Sequence, residues 1–381
     1  MKHSIVQRAG IALFLSVAEL AEASHAAPPR PEEAASTPGV VVLETEESAG
    51  ISVRIAEELA RATNDGPRRR ILPVVGAGSR QNIMDFKFLN GIDISILQTD
   101  VLNYVKEHRE VPGIETWITY ISKLYNEEFH LIVRAEIKSV SDLVNKNVSV
   151  GVNGAGTAIT AVRIFELLGV PVHALNYDPQ EGLEKLRTGE VAAVAMVAGK
   201  PAPLFCDLIG ENGLHFLPIA LDPAVSAGYV SARLTAADYP GIVPYNQPID
   251  TVAVGTVLAV SNLTAGSERY RNVASFVEAF FSGFQNLLQP GRHPKWHEVD
   301  ITGDLPGWRR FPPAAQWIQR KAPVAVAPNL EGLKANFLRF MDDRRKANGE
   351  PPLTQQERDQ LFDQFKGWAS DHPNLWQKGE R

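Results

Sequence analysis

A glycine-rich segment at positions 149–157 offers the clearest chemistry in the sequence. It reads Ser-Val-Gly-Val-Asn-Gly-Ala-Gly-Thr, with an apolar strand pattern before it and a helical pattern after it. Glycines let the backbone approach a bound group, and the first free amides of a helix favour an anion such as a carboxylate. A tight strand-to-helix turn without a ligand has the same composition, so both interpretations stay open.

The spacing of these glycines argues against a nucleotide. Gly151 and Gly156 have the separation of a phosphate-binding loop, but Thr157 stands where that loop requires a lysine. The glycine order also differs from the dinucleotide fingerprint, and no acid follows at a suitable strand end. We therefore expect no cofactor.

A second turn of the same kind follows the strand pattern at 71–75, where Gly76-Ala77-Gly78-Ser79 leads into a helix. Two such turns, one in each of two lobes, would face each other across a cleft. Gln98-Thr99-Asp100 closes another strand with short polar side chains, and Gly199-Lys200-Pro201 closes a further one. Lys200 could offer a point charge to an acidic ligand, although a surface lysine is the commoner case.

Catalytic and metal-binding patterns are weak. The single cysteine, Cys206, lies in an apolar helical context without an adjacent histidine, which is typical of an inert thiol. His293 and His297 have helical spacing, but Gly291 and Pro294 interrupt the helix that would bring them together. We expect no catalytic residues and no metal site.

Composition narrows the class of protein. The chain has 381 residues and a formal charge of −6, with 38 Lys and Arg against 44 Asp and Glu. No basic surplus is available to neutralise a phosphate backbone, so nucleic acid is not an expected partner. One cysteine excludes an intramolecular disulfide framework.

The N-terminus has the order of an export signal. Lys2 and Arg8 precede a ten-residue apolar run, and small residues follow around Ser24-His25-Ala26. The apolar run is too short to span a membrane, which takes about 20 residues. We expect a signal peptide at 1–26, a flexible leader at 27–39, and a mature chain that is soluble in the periplasm.

Short β-branched runs alternate with helical patterns from Val40 onward, which predicts an α/β fold with mostly parallel sheets. Two similar units, with a late return strand, indicate two lobes, the second inserted in the first. We assign 40–130 and 250–300 to lobe one, 131–249 to lobe two and 301–381 to a helical C-terminal extension. Ligand clefts lie at such junctions.

The block from Leu124 to Val170 resembles the TAXI group, the solute-binding subunits of tripartite ATP-independent periplasmic (TRAP) transporters. The matching pieces are Leu124-Tyr125, the strand at 129–134, the segment at 137–143, Ser149-Val150-Gly151 and Gly154-Ala155-Gly156-Thr157. The resemblance implies the two-lobed type II periplasmic binding protein fold. It also implies capture of a small organic acid or amino acid between the lobes, and delivery to the membrane permease subunits of a TRAP transporter.

The resemblance also implies pocket residues, although the first turn departs from the usual glycine-rich pattern and carries acids. An amine on the ligand would suit Glu47 there. Thr160, one turn beyond Thr157, is expected to lie away from the ligand. Carried over by motif position, the pocket residues are Ser79, Gln98, Thr99, Asn153, Gly156, Thr157 and Gly199.

Two alternatives remain from the sequence. The same two-lobe scaffold could serve an enzyme, since fold alone does not fix function. It could also serve an orphan receptor that feeds a membrane sensor instead of a permease.

Overall fold

The computed structural model describes residues 38–46, 50–206, 208, 213–321, 330–347 and 351–371 of the chain. The predicted signal peptide and nearly all of the predicted leader lie outside these residues. Among the described residues, no helix combines the length and apolar character needed to cross a membrane.

Strands and helices alternate along most of the described chain. The strands are β1 (Val40–Thr45), β2 (Arg70–Val75), β3 (Ile94–Gln98), β4 (Thr119–Arg134), β5 (Asn147–Ser149), β6 (His173–Leu175), β7 (Ala193–Ala198), β8 (Leu214–Phe216), β9 (Val230–Leu234), β10 (Ile249–Val260) and β11 (Arg309–Arg310). The α-helices are α1 (Ser52–Thr63), α2 (Ser79–Phe88), α3 (Thr99–Glu107), α4 (Ile114–Trp117), α5 (Gly156–Leu167), α6 (Pro179–Thr188), α7 (Pro203–Cys206), α8 (Glu268–Ser282), α9 (Pro312–Lys321), α10 (Leu330–Ala347) and α11 (Gln355–Asp371).

These strands form one sheet whose order is β2-β1-β3-β10-β4-β7-β5-β6. Strands β1, β2 and β3 are mutually parallel, and so are β5, β6 and β7. The two groups repeat the same order on opposite sides of β4 and β10. The α/β fold with two lobes is therefore confirmed, and the second lobe is inserted between β4 and β10.

The long strands β4 and β10 pair with each other and pass from one lobe to the other. Residues 256–260 of β10 pair with β3 in lobe one, whereas residues 249–253 pair with β9 in lobe two. Residues 128–133 of β4 pair with β7. A register shift between Gly255 and Val257 interrupts the pairing at the crossing. Such an irregularity increases local bending, which suits a hinge.

Each lobe buries both faces of its part of the sheet. In lobe one, α1 and α8 cover one face through Ile55 and Phe276, and α3 covers the other through Val101. In lobe two, α5 packs Ile164 on one face and α6 packs Leu186 on the other. Parallel strands covered on both faces are expected to be apolar throughout, and every residue of β7 is buried.

Local interactions mark the helix ends in lobe two. The Ser139 capping box is present at the start of a 3-10 helix, Val140–Leu143. Gly169 has a φ of 67° just after α5, as a helix stop requires. Asp178 accepts hydrogen bonds from the amides of Gln180 and Glu181 at the start of α6.

Part of the predicted extension packs against lobe one. Strand β11 pairs with β4, and Trp317 of α9 packs edge-on against Phe281 of α8. Helices α10 and α11 pack on each other through Phe337 and Phe365. The lobe limits drawn from sequence remain predictions, because β4 and β10 each contribute to both lobes.

Candidate functional site

A small cavity lies between the lobes where the strands of both lobes end. Its volume is about 10 Å³, room for about one water molecule. Lobe one borders it with the residues after β1, with the end of β3 and with the start of α2, and lobe two borders it with α5 and β7. The lining residues are Glu46, Gly50, Gly78, Gln98, Glu127, Gly156, Thr157, Met196 and Val197.

The two glycine-rich turns meet across this cavity. A Cβ atom on Gly78 would lie 2.6 Å from the Cα of Ala155, and one on Gly156 would lie 1.8 Å from Oε1 of Gln98. Only glycine allows so close an approach of the two lobes. The lobes are therefore closed on each other, and a solute larger than water must enter with the lobes apart.

Side chains of lobe one and the crossing strand form a connected buried network, which we call the acidic wall (Glu46, Ser79, Gln98 and Glu127). The Ser79 hydroxyl donates to Glu46 at 2.5 Å and accepts from the backbone N–H of Gln98 at 2.8 Å. The side-chain amide of Gln98 donates to Glu127 at 2.7 Å. Each of these residues is less than a tenth exposed, so the network holds its charge out of water.

The surroundings of Glu127 disfavour the charged form of its carboxyl group. Burial, followed by the nearby carboxylate of Glu46, raises the pKa of Glu127 well above its usual range. The two carboxyl groups also share a hydrogen bond. A buried pair of acids in contact favours one shared proton over two negative charges.

The next residue, Glu128, has a counter-charge, whereas the described residues place none beside Glu127. The ammonium of Lys295 lies 2.5 Å from Glu128 and 2.8 Å from Glu298. Burial raises the pKa of Glu128, while the charge of Lys295 lowers it. Lys295 comes from the 3-10 helix Pro294–Glu298, so the region after α8 supplies a buried cation to the crossing strand.

The opposite side of the cavity, which we call the neutral wall, consists of Gly156, Thr157, Met196 and Val197. The residue before α5, Ala155, gives no side-chain cap to the helix amides. The Thr157 hydroxyl accepts from the backbone N–H of Val197 at 3.1 Å and so ties α5 to β7. This wall can offer helix amides to a solute but contributes no charge.

A separate contact joins the lobes beside the cavity. The buried carboxylate of Asp100 on α3 accepts from the hydroxyls of Thr160, at 2.7 Å, and Tyr229, at 3.0 Å. Burial raises the pKa of Asp100, whereas these hydrogen bonds lower it. Thr160 therefore takes part in the contact between the lobes, and its expected position away from the ligand stays a prediction.

The structure brings four of the candidate pocket residues to the cavity: Ser79 within the acidic wall, and Gln98, Gly156 and Thr157 along the lining. Thr99 and Asn153 instead line other surface cavities of about 300 and 490 Å³. Glu47 lies outside the described residues.

Gly199 and Lys200, at the end of β7, are not among the residues that line the cavity. A Cβ on Gly199 would collide with the side chain of Ile51, so this glycine serves the packing of α1 against β7. The ammonium of Lys200 donates to Asp238 at 3.1 Å and to the carbonyl of Arg233 at 2.6 Å. Lys200 is thereby paired with residues of lobe two.

Sequence reasoning missed Glu46 and Glu127 as individual site residues. Glu46 belongs to the acidic first turn that had been noted, where Glu47 was preferred. Glu127 lies in a run, Asn126-Glu127-Glu128, at the middle of a strand whose first half had not been predicted. Two adjacent acids directly before the apolar strand pattern at 129–134 were the available signal, since a buried acid needs a partner or a function.

The cysteine and histidine candidates show ordinary structural contacts. Cys206 donates to the carbonyl of Ala202 at 3.5 Å, and His293 accepts from the backbone N–H of Lys295 at 3.2 Å. Within the described ranges, no group of three or more His, Cys, Asp or Glu side chains is arranged to hold a metal ion.

Two α/β lobes, two crossing strands and a cavity at the strand ends together define the two-lobed fold of periplasmic solute-binding proteins. The chain belongs to the NMT1-like family, whose model matches residues 51–285, more than half of the chain.

Several solved structures show a distant likeness. An ABC uptake transporter substrate-binding protein from Streptococcus pneumoniae, solved with bound histidine, is 14% identical with a TM-score of 0.42, over 70% of this chain and 95% of that one. The periplasmic aliphatic sulphonate binding protein SsuA from Escherichia coli is 14% identical with a TM-score of 0.39, over 84% and 92%. A TctC solute-binding protein from Polaromonas is 15% identical with a TM-score of 0.37, over 65% and 88%. Likenesses at this level carry no information on the ligand.

Proposed function

We propose that the chain is an extracytoplasmic receptor that captures a small organic acid or amino acid between its lobes. The observation that carries this proposal is the meeting of two glycine-rich turns over a cavity with buried polar side chains. Buried polar atoms without partners are costly, so a fold that retains them at a lobe junction usually has a use for them. Membership of the NMT1-like family supports the same reading.

Binding would use closure of the lobes about the crossing strands. The register shift at Gly255 allows bending there, and the hydrogen bonds from Thr160 and Tyr229 to Asp100 stabilise the closed form. A solute that contacts both walls would favour closure by its differential affinity for the closed form. Ser79, Gln98, Gly156 and Thr157 are the proposed ligand residues, together with Glu46 and Glu127.

The partner in the proposal is the permease of a TRAP-type transporter, reached after export directed by residues 1–26. The TAXI-like motifs at 124–170 support this assignment. A membrane sensor is the alternative partner. Co-expression with candidate permease subunits, followed by a solute-uptake assay in vesicles, tests it: uptake that requires the receptor supports transport, and uptake independent of it contradicts transport.

Ligand binding is tested by thermal-shift screening of the mature chain against organic acids and amino acids. A solute that binds only the folded state raises the unfolding temperature by mass action. The same screen on Gly156→Val should lose the stabilisation, because any side chain at this position collides with Gln98. Gly228→Ala, where an added Cβ meets nothing within 4 Å, is the matched control. A broad panel without a stabilising compound would contradict the receptor proposal.

A further inference from the structure

The polar atoms that the acidic wall presents to the cavity are mainly hydrogen-bond acceptors. Glu46 and Glu127 contribute carboxyl oxygens. The carbonyl oxygen of Gln98 is buried and, within the described residues, has no hydrogen-bond partner. The orientation of this amide is fixed, because its nitrogen donates to Glu127. Its oxygen is therefore directed at Gly156 across the cavity.

The charges near this point are negative. Glu46 follows β1, and Glu127 and Glu128 lie on β4 beside the buried hydroxyl of Tyr125, which is also without a partner among the described atoms. The neutral wall adds no charge from α5 or β7. Lys295 is engaged by Glu128 and Glu298, so its charge is already balanced.

We propose that the cavity selects solutes that carry a protonated amine, and that the ammonium group lies between Glu46 and Glu127 with Gln98 as a third acceptor. This inference rests on the proposed receptor function. An ammonium group has three donors and no acceptor, which matches two carboxyl groups and one amide carbonyl. Charge-assisted hydrogen bonds of this kind are among the strongest that a buried site can form.

The remainder of the solute then faces the neutral wall. The amides at the start of α5 favour a carboxylate or another electron-rich group, so an amino acid would satisfy both walls. A carboxylic acid without an amine could use only the neutral wall. Its charge would then lie beside two acids, which disfavours binding.

Ionisation of Glu127 is part of this recognition. Burial and the carboxylate of Glu46 raise the pKa of Glu127, so the acid pair favours one shared proton over two charges. An ammonium placed between the two carboxyl groups would supply the missing counter-charge, and the proton would leave to solvent as the solute binds.

The test uses matched probes: glutamate, 4-aminobutyrate and glutarate, and likewise phenylalanine, phenethylamine and 3-phenylpropionate. Affinities are measured by titration calorimetry on the mature chain. At least one amine-bearing probe should bind at least tenfold more tightly than the probe of the same set that has no amine, glutarate or 3-phenylpropionate. Glu127→Gln, which keeps the size and hydrogen-bonding capacity of the side chain, should reduce that preference by about tenfold or more. Glu184→Gln removes an exposed charge on α6 and is the matched control.

The outcomes separate the two proposals. Acids that bind as tightly as their amine counterparts, or a preference unchanged in Glu127→Gln, would overturn the amine site and leave the receptor function standing. No binding by any probe, together with no stabilising compound in the broad panel, would overturn both. If Glu127→Gln fails to fold, Glu46→Gln carries the same test from the other side of the pair.

Discussion

The two walls of the cavity differ in how they contact a solute. The acidic wall consists of charged and polar side chains held by one another, from Ser79 through Gln98 to Glu127. The neutral wall consists of a glycine, a helix start and the end of β7, with Thr157 turned toward Val197. The difference indicates that charge selection resides in lobe one and the crossing strand, while lobe two supplies shape and backbone contacts.

Helices of both lobes that begin at the cavity lack a side-chain cap. Helices α1, α2, α3 and α5 begin at or beside it, and none has a side-chain cap. Helices α6 and α8 begin elsewhere and are capped by Asp178 and Ser267. Amides left without a side-chain acceptor at a lobe junction are available to a solute.

The largest expected effect concerns the counter-charge that distinguishes Glu128 from Glu127. Lys295→Met should lower the free energy of unfolding by about 3–5 kcal/mol, because it leaves Glu128 buried without a cation. Denaturant titration measures the loss, and the double variant Lys295→Met with Glu128→Gln should recover much of it. An equal loss in the single and double variants would contradict the role of this pair.

The next effect tests the neutral wall. Gly156→Ala should weaken solute binding by roughly 10-fold to 100-fold, because the added methyl displaces the Gln98 amide from Glu127 at a cost of about 1–3 kcal/mol. Titration calorimetry with the tightest solute from the panel measures this effect. Gly228→Ala should bind the solute as tightly as the parent does. Equal affinities in Gly156→Ala and Gly228→Ala would mean that closure does not need the close approach of Gly156 to Gln98.

A smaller effect concerns Glu44, an acid inside lobe one and away from the cavity, and the dependence of stability on pH. Burial, then a hydrogen bond to Asp85, raises the pKa of Glu44 from 4.5 to about 8. The unfolded chain then binds fewer protons than the folded one between these values, so stability falls as the pH rises from about 4.5 to about 8.

Glu44→Gln should remove this contribution. The variant should match the parent near pH 5 and exceed it by about 2 kcal/mol at pH 8.5, less than the full shift would give because an ionised side chain can reorient. Thermal unfolding across this pH range is the measurement. The same difference at both pH values would contradict a raised pKa for Glu44.

The smallest effect concerns the contact between the lobes. Thr160→Val removes one hydrogen bond to Asp100 and keeps the size of the side chain, so it should weaken solute binding by roughly threefold to tenfold, or about 1 kcal/mol. Val162→Ala on the same helix, outside this contact, is a suitable control. Equal affinities in Thr160→Val and the parent would mean that Asp100 does not stabilise closure.

Much of the fold was predictable from periodicity. The alternation of strands and helices predicted both lobes. The first half of β4 was not predicted, since Thr119–Glu128 mixes polar and apolar residues. Glu127 lines the cavity and Glu128 pairs with Lys295, which are tertiary reasons that local pattern cannot reveal.

The site was predictable at its glycines and less so at its acids. Gly156 was identified because close backbone approach demands glycine. Glu127 was not, because its role depends on Glu46 and Gln98, which lie far from it in the sequence. The fold decides which acid a lysine pairs with. The sequence alone therefore could not show that Lys295 pairs with the buried Glu128 and Lys200 with Asp238.

The most direct test of the amine site is the number of protons released when the tightest amine-bearing probe binds. Titration calorimetry at neutral pH in two buffers of different ionisation enthalpy gives this number. We expect proton release on binding in the parent and markedly less in Glu127→Gln, because the bound ammonium replaces the proton shared by Glu46 and Glu127. Binding heats that are independent of the buffer in the parent would contradict the account.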